Sequence, residues 1–434
     1  MIERLFKLKE NGTNLRTEVV AGFTTFMTMA YIIIVNPIIL GGAGMDKGAV
    51  MTATIISAAF ATLLMAVYAN YPFALAPGMG LNAFFAVVVA TMGLSWQAAL
   101  AAVFINGIIF IVLTLTRARE VVVNAIPTPI KAATSAGIGL FIAIIGFNLG
   151  GIVVDGEPKG LLVMLGDFTN PGVLLTAAGL VITGWLVAKR VRGSLLLGIL
   201  LTSAIGMVAG IVNPPAGIVS TPPSLAPTLF QLDFGGLFSA GTLTLITIIF
   251  TFTFVDMFDT IGTLIGVATK ADMLDQRGEL PRARQALFAD AAGTAVGALL
   301  GTSTVTTYVE SSAGVAEGGR TGLTGVVVSL LFLVALFFSP IVTAIPAQAT
   351  APALIIVGLF MMEPVTKINF SDFTEAIPAF LTIVMMPFTW SIAEGLVFGI
   401  LSYVFLKVLV GKARDVSLTM WVLAVLFVVR FFFI

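Results

Sequence analysis

The chain has 434 residues, 58% of them hydrophobic and 10% charged, with 22 basic and 22 acidic side chains. A soluble domain carries about a quarter charged residues and covers itself with polar groups, so lipid is the natural solvent for this composition. A net charge of zero offers no basic field for nucleic acid, and the absence of Cys and His removes disulfides, thiolate nucleophiles, Cys/His metal sites and the usual proton shuttle. Any proton chemistry falls to carboxylates.

Residues 1–17 are charged and amphipathic, and read as a cytoplasmic interfacial helix rather than an export signal. Apolar runs then follow at 18–37, 49–70, 73–92, 97–116, 128–147, 172–189, 194–212, 243–268, 285–301, 303–317, 321–342, 349–362, 372–389 and 390–410. They predict fourteen segments. A last apolar stretch, 417–434, either lies along the interface or packs on the bundle. The positive-inside rule agrees with this count. Arg4, Lys7, Lys9 and Arg16 place the N-terminus in the cytoplasm. The connections after segments four, six, eight and fourteen carry Arg117, Arg119 and Lys131; Lys189, Arg190 and Arg192; Lys270, Arg277, Arg282 and Arg284; and Lys407, Lys412 and Arg414. Lys47 and Lys159 fall outside and Arg430 is unassigned, which leaves 19 of the 22 basic residues inside.

Two segments are wrong for regular helices. The third opens Tyr71-Pro72-Phe73-Ala74-Leu75-Ala76-Pro77-Gly78-Met79-Gly80, whose prolines and glycines delay a helix until about Leu81. The tenth opens Gly301-Thr302-Ser303-Thr304-Val305-Thr306-Thr307-Tyr308, a β-branched run that reads as a short strand before a helix from about Val309 to Ala316. Non-helical backbone at membrane depth survives only where protein buries it or a cavity hydrates it. Two broken segments, seven apart, point to a transporter of two inverted repeats.

In such a fold the half-helices begin near the midplane and aim their N-termini at a shared cavity. Asn82 and Glu310 are expected at those starts, where the second broken segment favours a ligand or proton site over the alternative of a simple helix cap. Segment eight adds Asp256 and Asp259, three apart on one helical face inside an apolar run. Charge at that depth costs about 3 kcal/mol, which marks functional candidates, the alternative being acids that only serve neighbouring helix ends. Glu18 and Asp290 read as interfacial caps and Glu394 as a helix-end group. Asp272, Asp275 and Glu279 share a solvated surface with Arg277, Arg282 and Arg284. Acids and an amide beside Phe84, Phe258 or Tyr308 suit a flat neutral ring bearing N–H groups. They suit an inorganic anion poorly. No nucleophile–base pair suggests an enzyme.

The stretches Thr17–Phe26 and Ala76–Phe85, with Phe254-Val255-Asp256-Met257-Phe258-Asp259-Thr260 and Gly301–Gly322, resemble the AzgA-like purine permeases. Four motifs in order cover nearly the whole chain. The resemblance implies an all-α polytopic protein of the UraA-type fold, fourteen segments in two inverted repeats of seven. It implies a core domain at 18–116 and 243–342 and a gate domain at 117–242 and 343–410, with 411–434 beyond. It further implies proton-coupled import of adenine, guanine or hypoxanthine by an elevator motion, with no cofactor beyond the coupling ion. By the same analogy Asp256 and Glu310 hydrogen-bond the purine, while Asn82, Phe84 and Tyr308 complete the pocket. Asp259 and Thr306, with Glu310 itself, support coupling. A homodimer through the gate is expected from the family, and the short loops and missing targeting segment favour a bacterial inner membrane. Xanthine or uracil transport on the same fold is the nearest alternative, and a channel a more distant one.

Overall fold

In lipid only a hydrogen-bond ladder closed within the protein satisfies the backbone, and helices do this within a single segment. The computed structural model describes residues 2–116, 126–156, 163–275 and 280–433. Arg117, Arg119, Lys159, Arg277 and Glu279 lie outside the described residues, as do the side chains of Arg4, Phe258, Lys270 and Arg430. Among the described residues nine helices are long and apolar enough to cross a membrane, and Met79–Met92, Ser194–Val208 and Phe373–Phe388 are shorter apolar helices. Ala283–Leu300 and the broken stretch from Val305 to Ala316 complete the fourteen expected segments.

Ahead of Leu15 the N-terminal stretch is helical only over α1 (Ile2–Phe6). Lys7 then takes a left-handed φ of 53°, and Phe6 and Leu8 bury against Leu323 and Val326, so this stretch docks on the bundle. The first expected span is two helices, α2 (Leu15–Met29) and α3 (Ile32–Gly42), broken at Ala30–Tyr31. α4 (Lys47–Leu64) is capped by Asp46 and ends in a π-helical turn, Met65–Ala69. β1 (Leu75–Pro77), α5 (Met79–Met92), α6 (Trp96–Thr116) and α7 (Thr128–Leu149) follow. A hairpin that the hydropathy did not announce, β2 (Val153–Asp155) with β3 (Val163–Leu165), precedes α8 (Pro171–Ala188) and α9 (Ser194–Val208).

The second half runs through α10 (Phe234–Ser239), α11 (Thr242–Lys270), α12 (Ala283–Leu300), β4 (Val305–Thr307) and α13 (Ser311–Ala316). It continues with α14 (Gly322–Ala335), α15 (Ser339–Ala344), α16 (Ala347–Met361), α17 (Phe373–Phe388) and α18 (Ile392–Leu409). α19 (Leu418–Phe433) packs on α18, and Phe427 meets Phe250 of α11 edge-on at 5.4 Å. The terminal stretch therefore lies against the bundle.

Packing repeats with a shift of seven segments. α12 packs on α6 as α4 packs on α14, and α17 packs on α18 as α8 packs on α9. α7 lies on α17 as α16 lies on α8. α7 and α16, the matching segments of the two halves, cross at Gly139 and Gly358. A Cβ on either glycine would fall 2.5 or 2.4 Å from the other's carbonyl oxygen, so only glycine permits this approach.

Candidate substrate site at the crossing of two broken segments

The two broken segments meet as an antiparallel ribbon. Leu75 pairs with Thr307, Ala76 with Thr306 and Pro77 with Val305. The ladder extends through Gly78 N to Thr304 O and Tyr308 N to Ala74 O, both at 2.9 Å. Pro72 and Pro77 deny this stretch a helix, and the β-branched run opposite prefers the extended form. The outer edges of so short a ribbon face packed helices, and hydroxyls satisfy them. Thr62 Oγ1 donates to Leu75 O at 3.0 Å and accepts from Leu75 N at 2.9 Å. Thr294 Oγ1 donates to Val305 O at 2.9 Å, and Ser311 Oγ accepts from Ala74 N at 2.9 Å.

Each strand hands over to a short helix. Glu310 is the N-cap residue of α13, and its Oε1 accepts a hydrogen bond from Tyr31 OH at 2.8 Å. Asn82 departs from expectation. Gly78 is the N-cap residue of α5, which begins at Met79, so Asn82 is the fourth helical residue and no cap. It is fully buried, and its Oδ1 accepts from the Ser303 hydroxyl just before β4. Asn82 therefore ties one half-helix to the opposite broken segment. Tyr308 OH donates to Pro77 O at 2.5 Å, a second tie across the same junction. Phe84 is buried in the core with its ring edge-on to Phe252 at 4.8 Å.

The paired acids of α11 divide. Asp256 is fully buried and accepts from Asn106 Nδ2 at 3.0 Å and from Thr260 Oγ1 at 3.3 Å. These partners are side chains of α6 and α11, not helix ends. Asp259, three residues on, directs Oδ2 toward the start of α5, 3.5 Å from where a Cβ on Gly78 would sit. Thr306 Oγ1 lies 2.9 Å from Thr260 Oγ1, and Thr260 also donates to Asp290 Oδ1 at 2.9 Å. One hydroxyl hydrogen thus serves a hub between α11, α12 and β4. The arrangement presents acceptors, one amide and aromatic rings, and segments 71–92, 243–269 and 301–317 contain no Lys or Arg.

Residues 16–398 match the Permease family. The chain belongs to that family. Adenine permease AdeP of Escherichia coli is 46% identical over 435 residues, covering 100% of this chain and 96% of the relative. Guanine/hypoxanthine permease PbuG of Bacillus subtilis is 46% identical over 445 residues, covering 100% of both. The solved transmembrane domain of the cyanobacterial bicarbonate transporter BicA matches with a TM-score of 0.66 at 17% identity, covering 89% of this chain and 97% of that one. That likeness is one of fold. The permease is a multi-pass membrane protein of the UraA-type fold, as its fourteen segments and shifted packing also require.

Within this permease several site residues escaped the sequence reading. Asp290 was expected as an interfacial cap, yet it lies two turns inside α12, fully buried on the Thr260 hydroxyl. Glu18 does cap a helix, but not its own. It is fully buried and accepts from Arg320 N at 2.8 Å, Thr324 N at 3.1 Å and Thr324 Oγ1 at 2.6 Å, closing the start of α14. Tyr31, Asn106, Thr260 and Ser303 were not singled out. Their signal was a polar group inside an apolar run, which is weak for Thr and Ser and stronger for Asn106 and Tyr31.

A cavity of about 540 Å³ opens beside the far end of α5, lined by Ser95, Ser239, Thr244 and Thr247 among others. Thr247 precedes Asp256 by nine residues on α11, about 14 Å along a helix. Hydroxyls thus line a space on the same helix that carries the acids.

Proposed function

We propose that this permease imports purine nucleobases, namely adenine, guanine or hypoxanthine, across the cytoplasmic membrane together with protons. The observation that carries the reading is the convergence of Glu310, Asp259, Asn82 and Tyr308 on one ribbon junction, in segments without Lys or Arg. Carboxylates accept hydrogen bonds from ring N–H groups, and a cation-free site suits a neutral ring rather than an anion. The names of the adenine and guanine/hypoxanthine relatives agree with that chemistry. Glu310 and Asp256 accept from the base, Asn82 and the first amides of α5 complete the polar rim, and Phe84 and Tyr308 flank the ring. Asp259 and Thr306 support coupling.

Segments one to four and eight to eleven move as a core against a gate of segments five to seven and twelve to fourteen. The close Gly139–Gly358 crossing supports a rigid gate. Protonation of Glu310 couples the gradient to the movement. The gate forms a homodimer contact, and the basic connections keep the N-terminus in the cytoplasm of a bacterial inner membrane.

Uptake of radiolabelled hypoxanthine, adenine and guanine into proteoliposomes, with and without an inward proton gradient, tests the reading beside Glu310→Gln. Gradient-driven uptake that the substitution weakens supports it. Purine flux indifferent to the gradient removes the proton, and no purine flux at all removes the substrate.

A further inference from the structure

Segment one breaks between α2 and α3, and the break places Tyr31 against the site. Tyr31 is 1% exposed, and its hydroxyl donates to Glu310 Oε1 at 2.8 Å. A phenol hydroxyl inside an apolar bundle is costly without an acceptor, so the burial of Tyr31 depends on Glu310. Among the described residues Tyr31 is the one side chain that donates to this carboxylate. Thr28, three residues earlier, donates its hydroxyl to the Thr25 carbonyl at 2.8 Å and lies 3.4 Å from the Glu310 carbonyl oxygen. Glu310 makes no side-chain cap bond to α13, so beyond its own backbone N–H the carboxylate is held by Tyr31.

We propose that Tyr31 is the positioning residue of Glu310. It occupies Oε1, fixes the carboxylate in one rotamer and leaves Oε2 to receive a ligand N–H. The inference rests on the reading that Glu310 binds the nucleobase. A carboxylate already oriented loses less freedom when the ligand arrives, so the hydroxyl acts on affinity rather than on the rate of the loaded carrier.

The test is Tyr31→Phe in the full-length purified protein, a change that removes one oxygen atom and keeps the ring. Hypoxanthine affinity by titration calorimetry should weaken ~10-fold or more, the scale of one lost bond to a charged group. The uptake KM should rise in step, with the maximal rate within ~2-fold. The infrared carboxyl bands of Glu310, isolated by subtracting the Glu310→Gln spectrum, should move in Tyr31→Phe without any ligand. Unchanged affinity overturns the proposal, and so do unmoved bands beside weakened binding. If the wild-type protein binds no purine, the functional reading falls, while the infrared bands still decide whether Tyr31 holds the carboxylate.

Discussion

Gly78 closes β1 and precedes α5 with φ −73° and ψ 129°, a conformation open to any residue. The consequence of Gly78→Ala therefore depends on what the new methyl meets. A Cβ there would fall 2.6 Å from Thr306 Cγ2, and 3.5 Å from both Asp259 Oδ2 and Leu81 Cδ1. Carbon atoms rest about 3.5–4.0 Å apart, so Thr306 must retreat by about 1 Å. Its backbone is paired with Ala76 and its hydroxyl with Thr260 at 2.9 Å, and retreat disturbs both. Overpacking costs about 1–3 kcal/mol and a lost neutral hydrogen bond about 0.5–1.5 kcal/mol, together about 1.5–4.5 kcal/mol. Expressed fully in binding, that is a loss of about 10-fold or more in purine affinity. Thr306→Ser removes Cγ2 and keeps the hydroxyl, so Gly78→Ala/Thr306→Ser should return to within about 3-fold of wild type. Calorimetric titration of hypoxanthine into purified protein, with a thermal melt of each variant, measures this. Wild-type affinity in Gly78→Ala refutes the packing argument, as does a loss that Thr306→Ser leaves untouched.

Thr260→Val keeps the shape but takes the donor from Asp290 and Asp256 and the partner from Thr306. Purine affinity should fall about 10-fold or more in a titration, with Thr260→Ser near wild type. Glu18→Ala orphans Arg320 N and leaves Thr324 N and Thr324 Oγ1 only longer bonds to backbone carbonyls, and should lower the melting temperature through a cost of about 1–3 kcal/mol. An unchanged melt would deny that this buried cap holds α14. Arg192 pairs with Glu317, joining the turn after α8 to the end of α13, and the Arg192 side chain is 63% exposed. Such a pair contributes about 0.2–1 kcal/mol, so Glu317→Arg should change the uptake rate at low salt by at most ~5-fold. Adding Arg192→Glu should restore it, and failure to do so would mean that the pair does not act as one.

Fourteen segments, both interruptions and the acids of segment eight were legible because each leaves a mark within a few residues. Prolines and glycines cannot hide in a helix, and a carboxylate inside an apolar run is conspicuous. What was not legible depends on distant partners. Ser303, which fixes Asn82, is 221 positions away, and Thr324, which makes Glu18 a buried cap, is 306 away. Asp290 follows Arg282 and Arg284 closely enough to pass for a membrane-surface acid, and only the fold carries it two turns inward. The break at Ala30–Tyr31 carries no proline or glycine of its own, and the contact of Tyr31 with Glu310 lies on it. Asn82 was placed at a helix start because glycine-rich sequence was read as delaying the helix, whereas Gly80 sits within it against Ile138.

The β1–β4 ribbon also bears on how such a chain can arise. Each half supplies one three-residue strand, and its hydrogen bonds are completed by the other half. A half-length chain alone would hold a bare strand edge at membrane depth, at several kcal/mol for each unpaired group. Two such chains inserted in opposite senses close each other's edges, and neither is viable alone. Joining them into one polypeptide fixes both the pairing and the opposed insertion. It also leaves the two strand-to-helix junctions free to differ, one carrying an amide at Asn82 and the other an acid at Glu310.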